Sequence, residues 1–280
     1  MRRKLLWALA IVAVSLGAAV LFGRTWIAQR AFDRALDSTV GIDQSARLGD
    51  GLHAYVCGSG SPMPDAQRAG PCLAVLAGRQ GFVFDAGSGS VRKLQRMGFP
   101  MDRLEAVFIT HLHSDHIDGL GELLLQAWVA GGRSRPITVY GPKGIEDVVA
   151  GLMQAYRIDS GYRVAHHGAA VVPPDGFGAV PVVVDLDNPT ADRDVTFRAP
   201  SLAIQAFAVE HRPISPAHGY RIDYKGRSLA ISGDTVYSPN LVAAAKGVDL
   251  LFHEALNKRM VAALGAKLAE RGQARTAQIM

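Results

Sequence analysis

One short segment, residues 111–116, constrains the fold of this chain more than any other feature. An apolar run at residues 106–110 is typical of a buried strand, and the sequence His-Leu-His-Ser-Asp-His follows it at once. Imidazole nitrogens and carboxylate oxygens are ligands that suit Zn²⁺. The segment therefore predicts a metal-binding loop at the end of a strand.

The loop carries enough ligands for two adjacent metal ions. We expect His111 and His113 to bind one ion, and Asp115 and His116 to bind the other. Three surface histidines and an aspartate at this spacing, directly after a buried strand, are improbable by chance, so a purely structural explanation is weak.

The pattern His-x-His-x-Asp-His, with Gly119 close behind, resembles the signature of the metallo-β-lactamase superfamily. The resemblance implies a four-layer αββα sandwich of two mixed β-sheets with outer helices, two Zn²⁺ ions and hydrolytic chemistry. In such a site the metals share a water, lower its pKa towards about 7, and the resulting hydroxide attacks the substrate. Asp115 would hold that nucleophile and accept its proton.

Further motifs are similar to those of the ribonuclease Z-like branch of this superfamily. They are Gly58-Ser59-Gly60-Ser61-Pro62 with Arg68-Ala69-Gly70-Pro71, and Phe84-Asp85-Ala86-Gly87 after the second of the predicted hairpin strands. The Gly-x-Gly at residues 58–60 taken alone would be a weak dinucleotide signal, and we interpret it as a tight turn because no helix follows it.

Two later segments complete the resemblance. His211 occupies the position of that branch's third-motif metal ligand, with His218 as the competing candidate, and Asp234 resembles the carboxylate that bridges both metals. His253 and Glu254 resemble its His-Glu-Ala motif, whose pair supports a metal ligand or handles protons, so we count both among the catalytic candidates.

The resemblance also has a gap, since this branch carries two further histidines downstream and His253 is the last histidine here. Two explanations stay open: a truncated sequence, or a natural variant with a weakened second site. Because the second ion keeps only Asp115, His116 and Asp234, we expect it to be bound more weakly than the first.

Alternating apolar runs and helical periods predict two sheets with helices outside, in a domain over residues 51–280. Strands are expected at residues 52–57, 73–77, 81–85, 106–110, 137–140, 182–184, 202–209, 220–224, 228–232 and 249–253, and helices at 91–97, 117–129, 145–156, 241–245 and 254–271. Residues 157–200, rich in Pro, Gly and Asp, are expected to form an irregular insertion or lid. Arg163, His166 and His167 within it are candidates for the substrate cleft, or an exposed loop pair.

The N-terminus predicts a membrane anchor over residues 1–23, followed by a stalk or linker over residues 24–50. Residues 5–23 have only Ser15 as a polar interruption, which is nearly enough to span a bilayer. A cleaved secretory signal and a buried helix are the alternatives. The basic residues at positions 2–4 favour a cytoplasmic N-terminus, an inner-membrane location and a periplasmic domain, with secretion after cleavage as the alternative.

Charge and cysteines bear on partners and compartment. Residues 1–36 hold six Arg or Lys and one acid, which accounts for the whole formal net charge of +5 and leaves the rest neutral. Nucleic acid is therefore a possible but not a favoured partner. Cys57 and Cys72 are the only cysteines and flank a loop between two strands, so a disulfide and two buried thiols are both open.

Three functions follow from these observations. The first is a dizinc hydrolase that acts on a small-molecule phosphodiester, sulfate ester or related ester. The second is a ribonuclease Z-like endoribonuclease acting on tRNA 3′ ends, and the third is a non-catalytic metal-binding envelope protein. Location favours the small ester, and family resemblance makes a homodimer plausible.

Overall fold

A computed structural model describes residues 2–63, 65–186 and 196–279. The chain divides into two units, Met1–Gln44 and Ser45–Met280. The first unit consists mainly of one helix, α1 (Arg2–Thr39). The helix does not end with the apolar run near residue 23, but continues unbroken into a segment that carries Arg24, Arg30 and Arg34.

The described part of α1 corrects the N-terminal prediction. Over the described residues, no helix combines the length and apolar character that are needed to cross a membrane. The predicted anchor over residues 1–23 is therefore wrong, and so is the inner-membrane and periplasmic placement that was inferred from it.

The second unit contains two mixed β-sheets, as predicted. One sheet has the order β1-β2-β3-β4-β5-β6 and the other has the order β11-β10-β9-β8-β7. The strands are β1 (Leu52–Gly58), β2 (Cys72–Ala77), β3 (Gln80–Phe84), β4 (Leu104–Phe108), β5 (Ile137–Gly141), β6 (Ala179–Val183), β7 (Phe197–Ala199), β8 (Leu202–Ala208), β9 (His218–Tyr224), β10 (Arg227–Ile231) and β11 (Leu250–Phe252).

In the first sheet β1, β2 and β3 pair antiparallel, and β3 to β6 pair parallel. The second sheet is antiparallel apart from the β10–β11 pair. The helices of this unit are α2 (Ser90–Arg96), α3 (Ser114–Ile117), α4 (Leu120–Val129), α5 (Ile145–His167), α6 (Pro239–Ala244), α7 (Lys258–Glu270) and α8 (Ala274–Ile279).

The two sheets pack face to face through a core of aromatic and branched side chains. Phe84 stacks on Phe108 with ring centroids 5.0 Å apart, and Phe108 meets Tyr220 of the facing sheet at 5.4 Å. The hydroxyl of Tyr220 donates to the carbonyl of Ile109 at 2.8 Å, which satisfies its one polar atom in the core. This contact fixes the end of β4, where the histidine loop begins, against the second sheet.

The other face of the first sheet is covered by helices, and α4 shows why. Leu120, Leu123, Leu124 and Ala127 recur at helical spacing, and all four are buried in the same cluster as residues of β4 and β5. Strands β3 and β4 are thus buried on both faces, which explains their continuous apolar runs.

Residues 157–200 differ in part from the expected irregular insertion. Helix α5 continues to His167, because residues 157–167 lack Pro and their only glycine, Gly161, costs a helix about 1 kcal/mol. Short strands β6 and β7 follow, and residues 187–195 lie outside the described residues. The role of this segment as a lid stays a prediction.

Cys57 and Cys72 form a disulfide, which joins the end of β1 to the start of β2. Both residues are buried, with 0% and 5% of their surfaces exposed. The bond closes the loop that carries the Gly58–Pro62 and Arg68–Pro71 motifs, and so it restrains a segment that has little regular structure of its own.

We predict that the double variant Cys57→Ala/Cys72→Ala has a free energy of unfolding about 3 kcal/mol lower, because a closed loop of this length restricts the unfolded chain by about that amount. Urea unfolding measures it. Reductant should destabilise the unvaried protein to a similar extent and leave the double variant unchanged. An unreduced protein with the mass of the dithiol form would refute the bond.

Candidate metal centre

Three histidines from two distant parts of the sequence converge at one end of the sandwich. His111 Nε2 lies 2.9 Å from His113 Nδ1, and His211 Nε2 lies 3.3 Å from the same His113 nitrogen. The first two follow β4, and His211 lies in the connection between β8 and β9. The connection thus brings a ligand from the second sheet to the loop of the first.

The spacing of these nitrogens fits a metal ion. Zinc–nitrogen bonds of about 2.0–2.1 Å in tetrahedral geometry place neighbouring ligand nitrogens about 3.3 Å apart. Neutral imidazoles whose lone pairs face one another repel unless a proton or a cation lies between them. His111, His113 and His211 are therefore a group that can hold a metal ion.

A second group shares His111 with the first and adds His116 and Asp234. His116 Nε2 lies 3.5 Å from an oxygen of Asp234 and 3.8 Å from an oxygen of Asp115. This nitrogen is buried, and it has no hydrogen-bond partner among the described residues. A buried ring nitrogen that faces two carboxylates is a place where a positive charge, from a proton or a metal ion, is stabilised.

Asp85, at the end of β3, orients both buried histidines. Its carboxylate accepts from the Thr110 N–H at 2.8 Å, from the Thr110 hydroxyl at 2.9 Å, and from His116 Nδ1 at 2.8 Å. Because the Thr110 hydroxyl donates to Asp85, it accepts from His111 Nδ1 at 3.1 Å. Both histidines thus carry a proton on Nδ1, which makes Nε2 the atom of each ring that can bind a metal.

The sequence prediction of the site omitted Asp85. Its motif, Phe84-Asp85-Ala86-Gly87, was visible, but the motif alone did not say which partner the carboxylate has. The parallel pairing of β3 with β4 answers this, since it brings the carboxyl ends of both strands to the same edge of the sheet.

Gly87 allows the loops around the site to pack closely. A Cβ atom at this position would lie 2.3 Å from the carbonyl oxygen of Asp115 and 2.5 Å from the carbonyl carbon of Gly70. Neither contact is tolerable, so only glycine fits. The neighbouring Ala86 N–H donates to the carbonyl of His116 at 2.8 Å, which ties the metal loop to the end of β3.

The charges of the site favour neutral His111 and ionised Asp234. Burial, together with the nearby positive charge of His116, lowers the pKa of His111 to about 4. Burial also opposes the charged form of His116, but Asp85 and Asp234 outweigh it and raise its pKa to about 10. Burial would raise the pKa of Asp234, yet its contacts with His116 hold that pKa below its ordinary value.

The other site residues predicted from the sequence make different contacts in the structure. His218, the competitor of His211, is fully buried, and its backbone N–H donates to the carbonyl of Thr110 at 2.9 Å. Arg163 pairs with Asp159 at 2.6 Å, and the His166 and His167 ring centroids lie 4.6 Å apart, so these contacts are local to α5. Their role in substrate binding stays a prediction.

Among the described residues, the hydrogen bonds of His253 and Glu254 do not reach a ligand histidine. His253 Nδ1 lies 2.7 Å from the Glu254 carbonyl oxygen. The Glu254 carboxylate instead accepts from the backbone N–H of Thr235 at 2.5 Å, next to Asp234.

A cavity of about 470 Å³ lies at the opposite end of the second sheet. It is lined by the β9–β10 turn and by Arg198, Arg221 and Arg227. The candidate metal ligands lie at the other ends of β8 and β10, so the cavity is not part of the metal centre.

Comparisons with known proteins agree with this fold and site. The family model described as the beta-lactamase superfamily domain matches residues 81–272. Ribonuclease Z of Mycobacterium avium (strain 104) is 38% identical over 215 residues, which cover 76% of this chain and 73% of that protein. This chain therefore belongs to the metallo-β-lactamase superfamily, and it is a hydrolase of the ribonuclease Z-like kind.

Solved structures support the same assignment. The human tRNase Z, short form, aligns with a TM-score of 0.56 and 25% identity, over 76% of this chain and 82% of that one. The metallo-beta-lactamase fold protein YhfI from Bacillus subtilis aligns with a TM-score of 0.51 over 72% of this chain and 70% of that one. At 20% identity, the second likeness shows the fold alone.

These relatives also correct the predicted partners. Proteins named Ribonuclease Z act on RNA, so a small-molecule ester as the expected partner is contradicted. The membrane partner is contradicted as well, because it depended on the anchor that the structure does not bear out.

We predict that Asp85→Asn weakens metal binding by the group of His111, His116 and Asp234 about 10–100-fold, the usual effect of losing an outer carboxylate. The amide oxygen still accepts from Thr110, so the fold should persist. Zinc titration of metal-depleted protein measures the change. Asp102→Asn, an exposed aspartate of the same unit, is the matched control, and equal affinities in both variants would contradict the role of Asp85.

Metal binding at this group should also release a proton. With its pKa raised to about 10, His116 is protonated at neutral pH and must lose that proton to bind an ion. We therefore expect the affinity to rise about tenfold per pH unit from neutral pH until the pKa of His116 is reached. Calorimetry in buffers of different ionisation enthalpy counts the proton, and a pH-independent affinity would disprove the charge state.

Proposed function

We propose that this chain is a zinc-dependent endoribonuclease that cleaves precursor tRNA near its 3′ end. The observation that carries the proposal is the 38% identity to Ribonuclease Z of Mycobacterium avium over 215 residues, a stretch longer than the metal motifs alone. The likeness to the human tRNase Z, short form, supports the same substrate class.

The donor set supports zinc as the metal. Histidine nitrogens and carboxylate oxygens are its usual ligands at catalytic sites. We assign His111, His113 and His211 to one ion, and Asp115, His116 and Asp234 to the other, with Asp234 as the bridging carboxylate. When bound, zinc supplies Lewis-acid activation of water and of a phosphoryl oxygen.

The protein's own contribution is to fix ligand geometry and to handle protons. Asp85 and Thr110 accept from the Nδ1–H groups of His116 and His111, so the rings need not turn when their Nε2 atoms bind metal. We assign Asp115 as the group that receives the proton of the attacking water. Its carboxylate lies 3.8 Å from His116 Nε2, at the edge of the same group.

The neutral charge of the chain beyond residue 36 shapes how RNA would bind. An overall basic surface is missing, so phosphate contacts must come from individual side chains. Arg212 follows His211 directly, 87% of its side chain is exposed, and it lies 3.3 Å from Glu210. We assign it to a phosphate next to the scissile bond, because it is a cation beside the candidate ligands.

We predict that His113→Ala lowers the rate of precursor tRNA cleavage by about 10³-fold or more, since a lost metal function amounts to several kcal/mol of transition-state stabilisation. The assay follows release of the 3′ trailer from precursor tRNA. Chelation should abolish cleavage and added zinc should restore it.

His53→Ala is the matched control, because His53 bonds the carbonyl of Gly49 and belongs to neither metal group. It should cleave at the unvaried rate. Normal cleavage by His113→Ala would show that the loop is not the active site, and an active unvaried protein that turns over aryl phosphodiesters but never precursor tRNA would refute the substrate.

A further inference from the structure

We propose that Thr235 is a positioning residue that couples the loop of Asp234 to the loop of His211, and that Glu254 anchors it. The inference rests on the proposed zinc site, though not on the proposed RNA substrate. Its starting point is geometric, since Asp234 and His211 come from different connections and belong to different metal groups.

The side chain of Thr235 forms a hydrogen bond with the backbone of Glu210, the residue before His211. The Glu210 N–H donates to Thr235 Oγ1 at 3.1 Å, and the Val236 N–H donates to the Glu210 carbonyl at 2.8 Å. The Thr235 hydroxyl itself donates to the Val236 carbonyl at 2.8 Å. Both backbone polar groups of Glu210 are therefore bonded to residues 235–236.

The backbone of Thr235 is held from the other side by Glu254. The carboxylate of Glu254 accepts from the Thr235 N–H at 2.5 Å, and the Glu254 N–H donates to Ser232 Oγ at 3.1 Å. These two bonds span the turn that carries Asp234, between residues 232 and 235. Glu254 thus fixes the turn at both of its ends.

The need for such a clamp follows from burial. Thr235 is 6% exposed, whereas His211 is only partly buried, and within its own loop the His211 carbonyl accepts from the Ile214 N–H at 2.9 Å. The ring of His211 lies beside the other two imidazoles of its metal group, with its centroid 4.7 Å from that of His111 and 5.2 Å from that of His113. We therefore infer that the hydrogen bonds of Thr235 determine the position of His211 relative to Asp234.

The test measures zinc affinity and stoichiometry on metal-depleted full-length protein, with no substrate present. Thr235→Val removes the hydroxyl at almost constant shape, and it should weaken zinc binding about 10–100-fold, as outer-shell changes do. Thr235→Ser keeps the hydroxyl and should bind like the unvaried protein.

A matched control separates positioning from general stability. Thr196 Oγ1 accepts from the Ala206 N–H at 3.1 Å, which is the same kind of bond at the same length in the second sheet. Thr196→Val should therefore leave zinc affinity unchanged. If Thr235→Val binds zinc normally, or if both valine variants weaken it equally, the inference is overturned.

Glu254 supplies a second, independent pair of variants. Glu254→Gln keeps an oxygen that accepts from Thr235 and should retain the zinc affinity, while Glu254→Ala should lose about as much as Thr235→Val. Equal losses in both Glu254 variants would mean that its charge matters rather than its bond to Thr235, and would overturn the inference. An unvaried protein that binds no zinc would overturn both the metal site and this clamp, whereas zinc binding without RNA cleavage would leave the clamp standing.

Discussion

The carboxylate of Asp85 is the interaction on which the rest of the site depends. It lies at the end of a buried strand and accepts hydrogen bonds from Thr110 and His116. A buried carboxylate without partners would cost several kcal/mol, so its three bonds explain how it can lie where it does. Through Thr110 its influence also reaches His111, and one acid thereby sets the tautomers of two candidate ligands.

The sandwich architecture places this acid and its partners together. Parallel strands end at the same edge of a sheet, so Asp85 and the histidine loop become neighbours without a long insertion. Packing of Phe84 and Phe108 against Tyr220 fixes that edge against the second sheet, from which His211 and Asp234 come. The aromatic core thus determines the distance between ligands that no local segment could set.

The charges around the two buried histidines are unequal, since His116 Nε2 faces Asp115 and Asp234 while His111 faces other imidazoles. The pKa values of His111 and His116 move in opposite directions, to about 4 and about 10, although the two rings are only 4.1 Å apart. Their difference follows from position, because Asp85 and Asp234 flank His116 while His111 lies beside the resulting positive charge. A bound cation would replace the proton on His116 and supply the positive charge that the two carboxylates favour.

The sequence by itself determined the family and the two-sheet architecture, and it proposed the ligands of the metal loop, because ligand spacing after an apolar strand is a local property of the chain. The prediction failed at the N-terminus, where an apolar run of 19 residues indicated a membrane anchor, whereas no helix of the described residues meets the requirements for crossing a membrane. It also could not assign Asp85, Thr235 or the bonding of Glu254. These roles were decided by tertiary structure alone, since hydrogen bonds between strand ends remote in sequence depend on sheet register and on the packing of one sheet against the other.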